Sequence, residues 1–203
     1  HFGRDEPLPF SVVARLGTGA HAHVDKYFAL LMTPVVECSL NEYYKIARAS
    51  SDKLSLLRSF LGCFANALQY VHSIRIRHRD IKPENILVKG DTMYLSDFGI
   101  ALDWEHLSRS TTTADLGKTW VYAAPEVARH EKRSSSANVW SLGCVFMEIV
   151  TVLKGETVAA MRAFFEEGSG NYRFYANIAQ FPPWAKKLRM IGSEKDDIIF
   201  KWV

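Results

Sequence analysis

Cysteine is scarce: three in 203 residues, Cys38, Cys63 and Cys144, with no C-x-x-C pair among them. Such spacing supports neither a zinc site nor a disulfide framework, and it fits a reducing, intracellular setting, cytoplasmic or nuclear. A long apolar run is missing too. The longest stretch, Val139 to Leu153, is interrupted by Ser141 and Glu148 and falls short of the roughly 20 residues that span a bilayer. No signal peptide opens the chain, so no membrane partner is expected. Charge of one sign is also lacking: the net value is +3, with 25 Lys and Arg interspersed among 22 Asp and Glu. That balance argues against a dedicated nucleic-acid binder and permits a weak attraction for anions. The first residue is His1 and not Met, so the chain is expected to be a fragment or a processed product.

What is present is ordinary globular material, 48% hydrophobic and 23% charged. A folded chain of this length buries roughly 70% of its unfolded surface, enough for a core without staples. Residues 1 to 9, with Gly3, Pro7 and Pro9, read as a lead-in to a strand near Phe10 to Leu16. Leu54, Leu57, Leu61, Phe64, Leu68 and Val71 recur at spacings of three and four, which predicts one long amphipathic helix capped by Ser51 or Asp52. Ile86-Leu87-Val88 and Met93-Tyr94-Leu95 flank Lys89-Gly90-Asp91, a β-hairpin pattern. Residues 103 to 119 are rich in hydroxyls and read as a loop. Val139 to Val150 is apolar nearly all round and reads as a buried central helix. Residues 168 to 183 hold glycines and Pro182-Pro183, hence a further loop.

Between the long helix and the hairpin stands His78-Arg79-Asp80-Ile81-Lys82-Pro83-Glu84-Asn85, a base, cations and an amide within eight residues. Immediately after the second hairpin strand comes Asp97-Phe98-Gly99, and farther on Gly117-Lys118-Thr119-Trp120-Val121-Tyr122-Ala123-Ala124-Pro125-Glu126. In this order the three segments resemble the catalytic loop, the metal-binding element and the end of the activation segment of eukaryotic-type Ser/Thr protein kinases. The resemblance implies that Asp80 and Lys82 are catalytic and that Asn85 and Asp97 share Mg²⁺. Lys82 and Thr119 fit the Ser/Thr-directed pattern. Ser110 to Thr113 supply hydroxyls whose phosphates would pair with Arg79.

Near the N-terminus, Leu16-Gly17-Thr18-Gly19-Ala20-His21-Ala22-His23-Val24 looks like the glycine-rich loop over ATP phosphates, with Ala22 in place of the third glycine. On this resemblance Leu16, Gly17, Gly19, Val24, Lys82, Asn85 and Asp97 bind the nucleotide. The lysine strand and the glutamate helix that follow in the family are not found. Tyr27 to Pro34 reads as the strand and hinge joining the lobes, so about fifty residues are absent between Val24 and Tyr27. Two further departures stand in the second half. Asn138 replaces the family's Asp before Val-Trp-Ser, and the chain stops before the arginine that normally pairs with the Glu126 position, leaving Glu126 unpaired.

The expected fold is α+β and kinase-like, two-lobed, with a reduced N-terminal β lobe and a mainly helical C-terminal lobe. Residues 1–203 form one partial domain, 10–34 the remnant of the small lobe and hinge, and 35–203 the truncated large lobe. The expected activity is transfer of the ATP γ-phosphate to a Ser or Thr hydroxyl of a protein, impaired in this chain. The alternatives are a catalytically silent scaffold and, less well matched by the motifs, a small-molecule phosphotransferase.

Overall fold

Two serines start the first helices of the computed structural model, which describes residues 35–104 and 120–191. Ser39 caps α1, Leu40–Ala47, in a reciprocal box: its hydroxyl accepts the Glu42 N–H while the Glu42 carboxylate accepts the Ser39 N–H at 2.8 Å. Ser50 caps α2, Ser51–Ser73, by accepting the Lys53 N–H. The cap therefore lies one residue before the predicted Ser51, because Ser51 already has helical backbone. The periodic apolar face of α2 is present, with Phe60 added to its buried residues and Leu54 and Leu61 only partly buried. Leu57, Phe60, Phe64, Leu68 and Val71 are buried, each contributing about 1.5–3 kcal/mol over an exposed position.

Beyond α2 the chain forms β2, Ile76–Arg77, then a loop and a short 3₁₀ turn at Pro83–Asn85. The predicted hairpin follows as β3, Ile86–Lys89, and β4, Thr92–Leu95, with Ile86 opposite Leu95 and Lys89 opposite Thr92. Gly90 takes φ of 57° in its turn, a conformation that glycine adopts without penalty. A two-residue strand, β1 at Cys38–Ser39, adds to the other edge of β3, giving the antiparallel order β1-β3-β4. β2 pairs with β5, Leu102–Asp103, in a separate two-stranded sheet.

After the short α3, Pro125–Ala128, comes α4, Ser136–Leu153, which packs on α2 through a shared apolar core. Among the described residues α4 is long and apolar enough to cross a membrane, more than the sequence reading allowed, but over half of it is buried as a core helix. It is not buried all round: Val139 is 57% exposed. α5, Val158–Ser169, and α6, Phe181–Arg189, close the core with Phe165 and Trp184, joined by Phe174 from a 3₁₀ turn between them. The Trp184 indole donates to Thr151 Oγ1 at 3.0 Å, satisfying its one polar atom in the core. Here the predicted loop over 168 to 183 is corrected at both ends. Gly168 lies inside α5, and Pro182 and Pro183 open α6, where a missing N–H costs nothing in the first turn.

Leu16, Gly17, Gly19 and Val24, the strand near 10–16, the hinge at 27–34 and the hydroxyls at 108–113 lie outside the described residues.

Candidate active site

His78 is the hub of the loop between β2 and β3. It is fully buried, and its Nε2 lies 2.8 Å from the Ser96 carbonyl, which can only accept. Nε2 therefore carries the proton, and Nδ1 accepts the Asp80 N–H at 3.3 Å. Burial lowers the His78 pKa and keeps the ring neutral, as both bonds require. One imidazole thus ties the Asp80 backbone to the residue just before Asp97. The Phe98 ring packs edge-on against it, with centroids 4.6 Å apart.

Asp80 is gripped from its own loop. Lys82 Nζ lies 2.6 Å from Asp80 Oδ2, and Asn85 Nδ2 donates to the same oxygen at 3.0 Å and to the Asp80 carbonyl at 2.9 Å. The hairpin then brings Asp97 round. Ser96 donates to the Asn85 carbonyl through both its N–H and its hydroxyl, each at 2.9 Å, extending the ladder one step past the Ile86–Leu95 pair. Asn85 before β3 and Asp97 after β4 consequently stand at one end of the hairpin. Asp97, exposed, has φ of 62°, and Arg79 has φ of 73°. Two non-glycine residues in the left-handed region flank the same site, each a local cost that the surrounding bonds must offset.

A family profile described as the protein kinase domain matches residues 12–181. The chain belongs to the protein kinase family. Cyclin-dependent kinase 2 of Caenorhabditis elegans is 35% identical over 133 residues, which are 62% of this chain and 36% of that protein. Cyclin-dependent kinase E-1 of Arabidopsis thaliana is 34% identical over 123 residues, 55% of this chain and 26% of the relative. Dual specificity protein kinase zak2 of Dictyostelium discoideum is 32% identical over 138 residues, 64% and 20%. The chain thus spans about a third or less of the length of these relatives. The kinase fold is two-lobed and α+β, and the described residues supply mainly helical structure with two small sheets. Members of the family use ATP.

Within this kinase chain the structure adds residues that the sequence reading did not single out. Arg77 and Arg133 line a pocket with Arg79 beside the Asp80 backbone, and Arg77 donates to the Arg133 carbonyl at 3.3 Å. Burial lowers the pKa of all three, and the neighbouring Arg79 charge lowers Arg77 and Arg133 further. Arg77 adjoins the catalytic-loop motif, a signal within reach of the sequence. Arg133 lies 56 residues from Arg77 along the chain and gave none.

Glu148, treated in the sequence as an interruption of an apolar run, is a buried carboxylate. Its Oε1 accepts from the Tyr122 hydroxyl at 2.9 Å and from Arg162 at 3.1 Å. Burial pushes its pKa up to about 7, against the pull of Arg162 and the Tyr122 bond. A lone acid inside an apolar helix is itself a signal, since such groups are almost never buried without a partner. Glu126 is half-buried and accepts from Ser136 Oγ at 3.3 Å, a neutral partner and not the arginine of the family pattern.

Proposed function

We propose that this chain transfers the γ-phosphoryl group of ATP to a serine or threonine hydroxyl of a protein, with Asp80 and Lys82 acting on the reacting groups. The observation that carries the reading is the convergence of Lys82 and Asn85 on one carboxylate oxygen of Asp80, at the hairpin end that also bears Asp97. Asp80 orients the acceptor hydroxyl and takes its proton. Lys82, held beside it, keeps a positive charge near the moving phosphoryl group, where charge spreads over three oxygens.

Asn85 and Asp97 are the proposed Mg²⁺ ligands. Asn85 commits its NH₂ to Asp80, which leaves the side-chain oxygen to face a cation, and Asp97 brings an exposed carboxylate. Two hard oxygen donors suit Mg²⁺, which takes its other ligands from phosphate and water. Among the described residues no three His, Cys, Asp or Glu side chains gather into a self-contained metal cage. When bound, Mg²⁺ supplies neutralising charge to the phosphates.

Leu16, Gly17, Gly19 and Val24 are proposed to cover the nucleotide, on the strength of the G-x-G sequence alone. The proposed division is 10–34 for the small-lobe remnant and hinge and 35–203 for the large lobe. The cysteines, all free, fit the proposed intracellular location, cytoplasmic or nuclear. The proposed acceptor class rests on Lys82 and Thr119, and one relative carries the name of a dual specificity kinase. Phosphoamino-acid analysis of a basic protein substrate tests it: phosphoserine and phosphothreonine support the reading, and phosphotyrosine as the main product contradicts it. The absent lysine strand makes this chain an impaired kinase, so the assay requires a restored chain, with a relative's segment inserted between Val24 and Tyr27.

A further inference from the structure

Asn138, 3% exposed near the start of α4, makes two hydrogen bonds of opposite sense. The Arg79 main-chain N–H can only donate, so the atom 3.0 Å from it is the Asn138 side-chain oxygen. That orients the amide, whose NH₂ then faces His72 Nε2 at 3.1 Å. An NH₂ group only donates, so Nε2 must offer a lone pair. A neutral imidazole with a bare Nε2 carries its proton on Nδ1. His78 is held in the other tautomer, by the Ser96 carbonyl on Nε2 and the Asp80 N–H on Nδ1. The two histidines thus hold opposite tautomers, each dictated by partners that can act in one sense only.

We propose that His72 is a positioning residue of the catalytic loop: its bare Nε2 locks the Asn138 amide in the orientation that accepts the Arg79 N–H. The lock matters because Arg79 holds a left-handed backbone, φ of 73°, immediately before Asp80. An amide turned end for end would set its NH₂ against the Arg79 N–H, and the bond holding that conformation would vanish. His72 makes the turned state costly by offering an acceptor, which the turned amide could not use. Asparagine at 138 and the Nδ1–H tautomer at His72 are therefore a matched pair. A carboxylate at 138, the residue expected from the family pattern, has two acceptors and requires a proton on His72 Nε2.

The surroundings favour the neutral ring. Burial lowers the His72 pKa, and the Arg77 charge lowers it further. The cavity that His72 lines is otherwise formed by residues of α2 and α4 without a titrating group, Ala65, Leu68, Gln69, Leu142 and Phe146 among them. Protonation of Nε2 at low pH would point a donor at a donor and release the lock.

The consequence for catalysis rests on the phosphotransfer reading of residues 78–85, but the test does not. Ring ¹⁵N NMR of the full chain, above the ordinary histidine pKa, reads the tautomer directly. The expected result is a protonated Nδ1 and a bare Nε2 on His72 in the unaltered protein, reversed in Asn138→Asp with His72 titrating at higher pH. A proton on Nε2 in the unaltered protein overturns the proposal without any variant, and so does an unchanged tautomer in a folded Asn138→Asp. A second pair of variants separates positioning from packing. His72→Phe should speed exchange of the Arg79 amide about fivefold, the loss of one net hydrogen bond, and His72→Gln, whose side-chain oxygen also accepts, should restore it. Equal exchange in the two variants counts against the proposal. Correct tautomers in a chain that transfers no phosphate would contradict the reaction reading alone.

Discussion

The Asn85 side-chain amide donates to Asp80 twice, to its carbonyl at 2.9 Å and to Oδ2 at 3.0 Å, so one residue sets both the backbone and the carboxylate of the proposed base. Two bonds of about 1 kcal/mol net each are at stake in stability, and a larger quantity in the reaction, because a carboxylate turned away from its acceptor loses its positioning contribution.

Asn85→Ala in the restored chain is therefore expected to lower the urea-unfolding stability by about 1–2 kcal/mol and phosphate transfer by about a hundredfold or more. Asn85→Asp should transfer no better, since a second carboxylate repels Asp80 and cannot donate to it. Transfer that falls only in proportion to the unfolded fraction would reduce Asn85 to a structural residue.

Glu148, Tyr122 and Arg162 carry a pH signature. The Glu148 pKa, about 7, is raised above its ordinary 4.5, so between these values the folded chain binds more protons than the unfolded one. This carboxyl therefore stabilises the fold less as pH rises through that window. Arg162 is about a third exposed, so its removal costs less than breaking a fully buried pair. Arg162→Leu is expected to destabilise by about 1–3 kcal/mol at pH 8 and by clearly less at pH 5, where Glu148 is neutral. A pH-independent difference between the unaltered protein and Arg162→Leu in chemical denaturation would contradict this assignment.

The hydroxyls of Ser110, Thr111, Thr112 and Thr113 are expected to regulate the site through Arg79. In the restored chain, changing all four to alanine should lower activity, and Arg79→Met should remove the response to their phosphorylation. Unchanged turnover in the fourfold variant would end that expectation.

The elements legible from sequence were those specified by neighbours along the chain. The α2 face followed from apolar spacing, and the β3–β4 hairpin from Lys89-Gly90-Asp91 between two short apolar runs. The 78–85 and 97–99 segments flank that hairpin in the sequence, and the pairing of Ile86 with Leu95 puts Asn85 and Asp97 at its one end. Boundaries were less legible. Ser50 and Ser51 are chemically equivalent as caps and differ only in backbone conformation, and Pro182-Pro183 suits a loop end and a helix start equally well. Partnerships across long separations had no local signal: Asn138 meets His72 across 66 residues and Arg162 meets Glu148 from the next helix. The replacement of the family's Asp by Asn138 was visible as a lost charge. That the amide still accepts the Arg79 N–H required the fold.

Phosphate transfer to a basic protein substrate, compared among the unaltered chain, the restored chain and restored Asp80→Asn, tests the central claim most directly. The unaltered chain should be at least about 10² to 10³ slower than the restored one, since the proposed gap between Val24 and Tyr27 takes out the lysine that fixes charge on the ATP phosphates. The restored chain should transfer phosphate, and Asp80→Asn should abolish that transfer. Activity that survives Asp80→Asn, or a restored and folded chain with none, would contradict the assignment of Asp80 as the group that takes the proton.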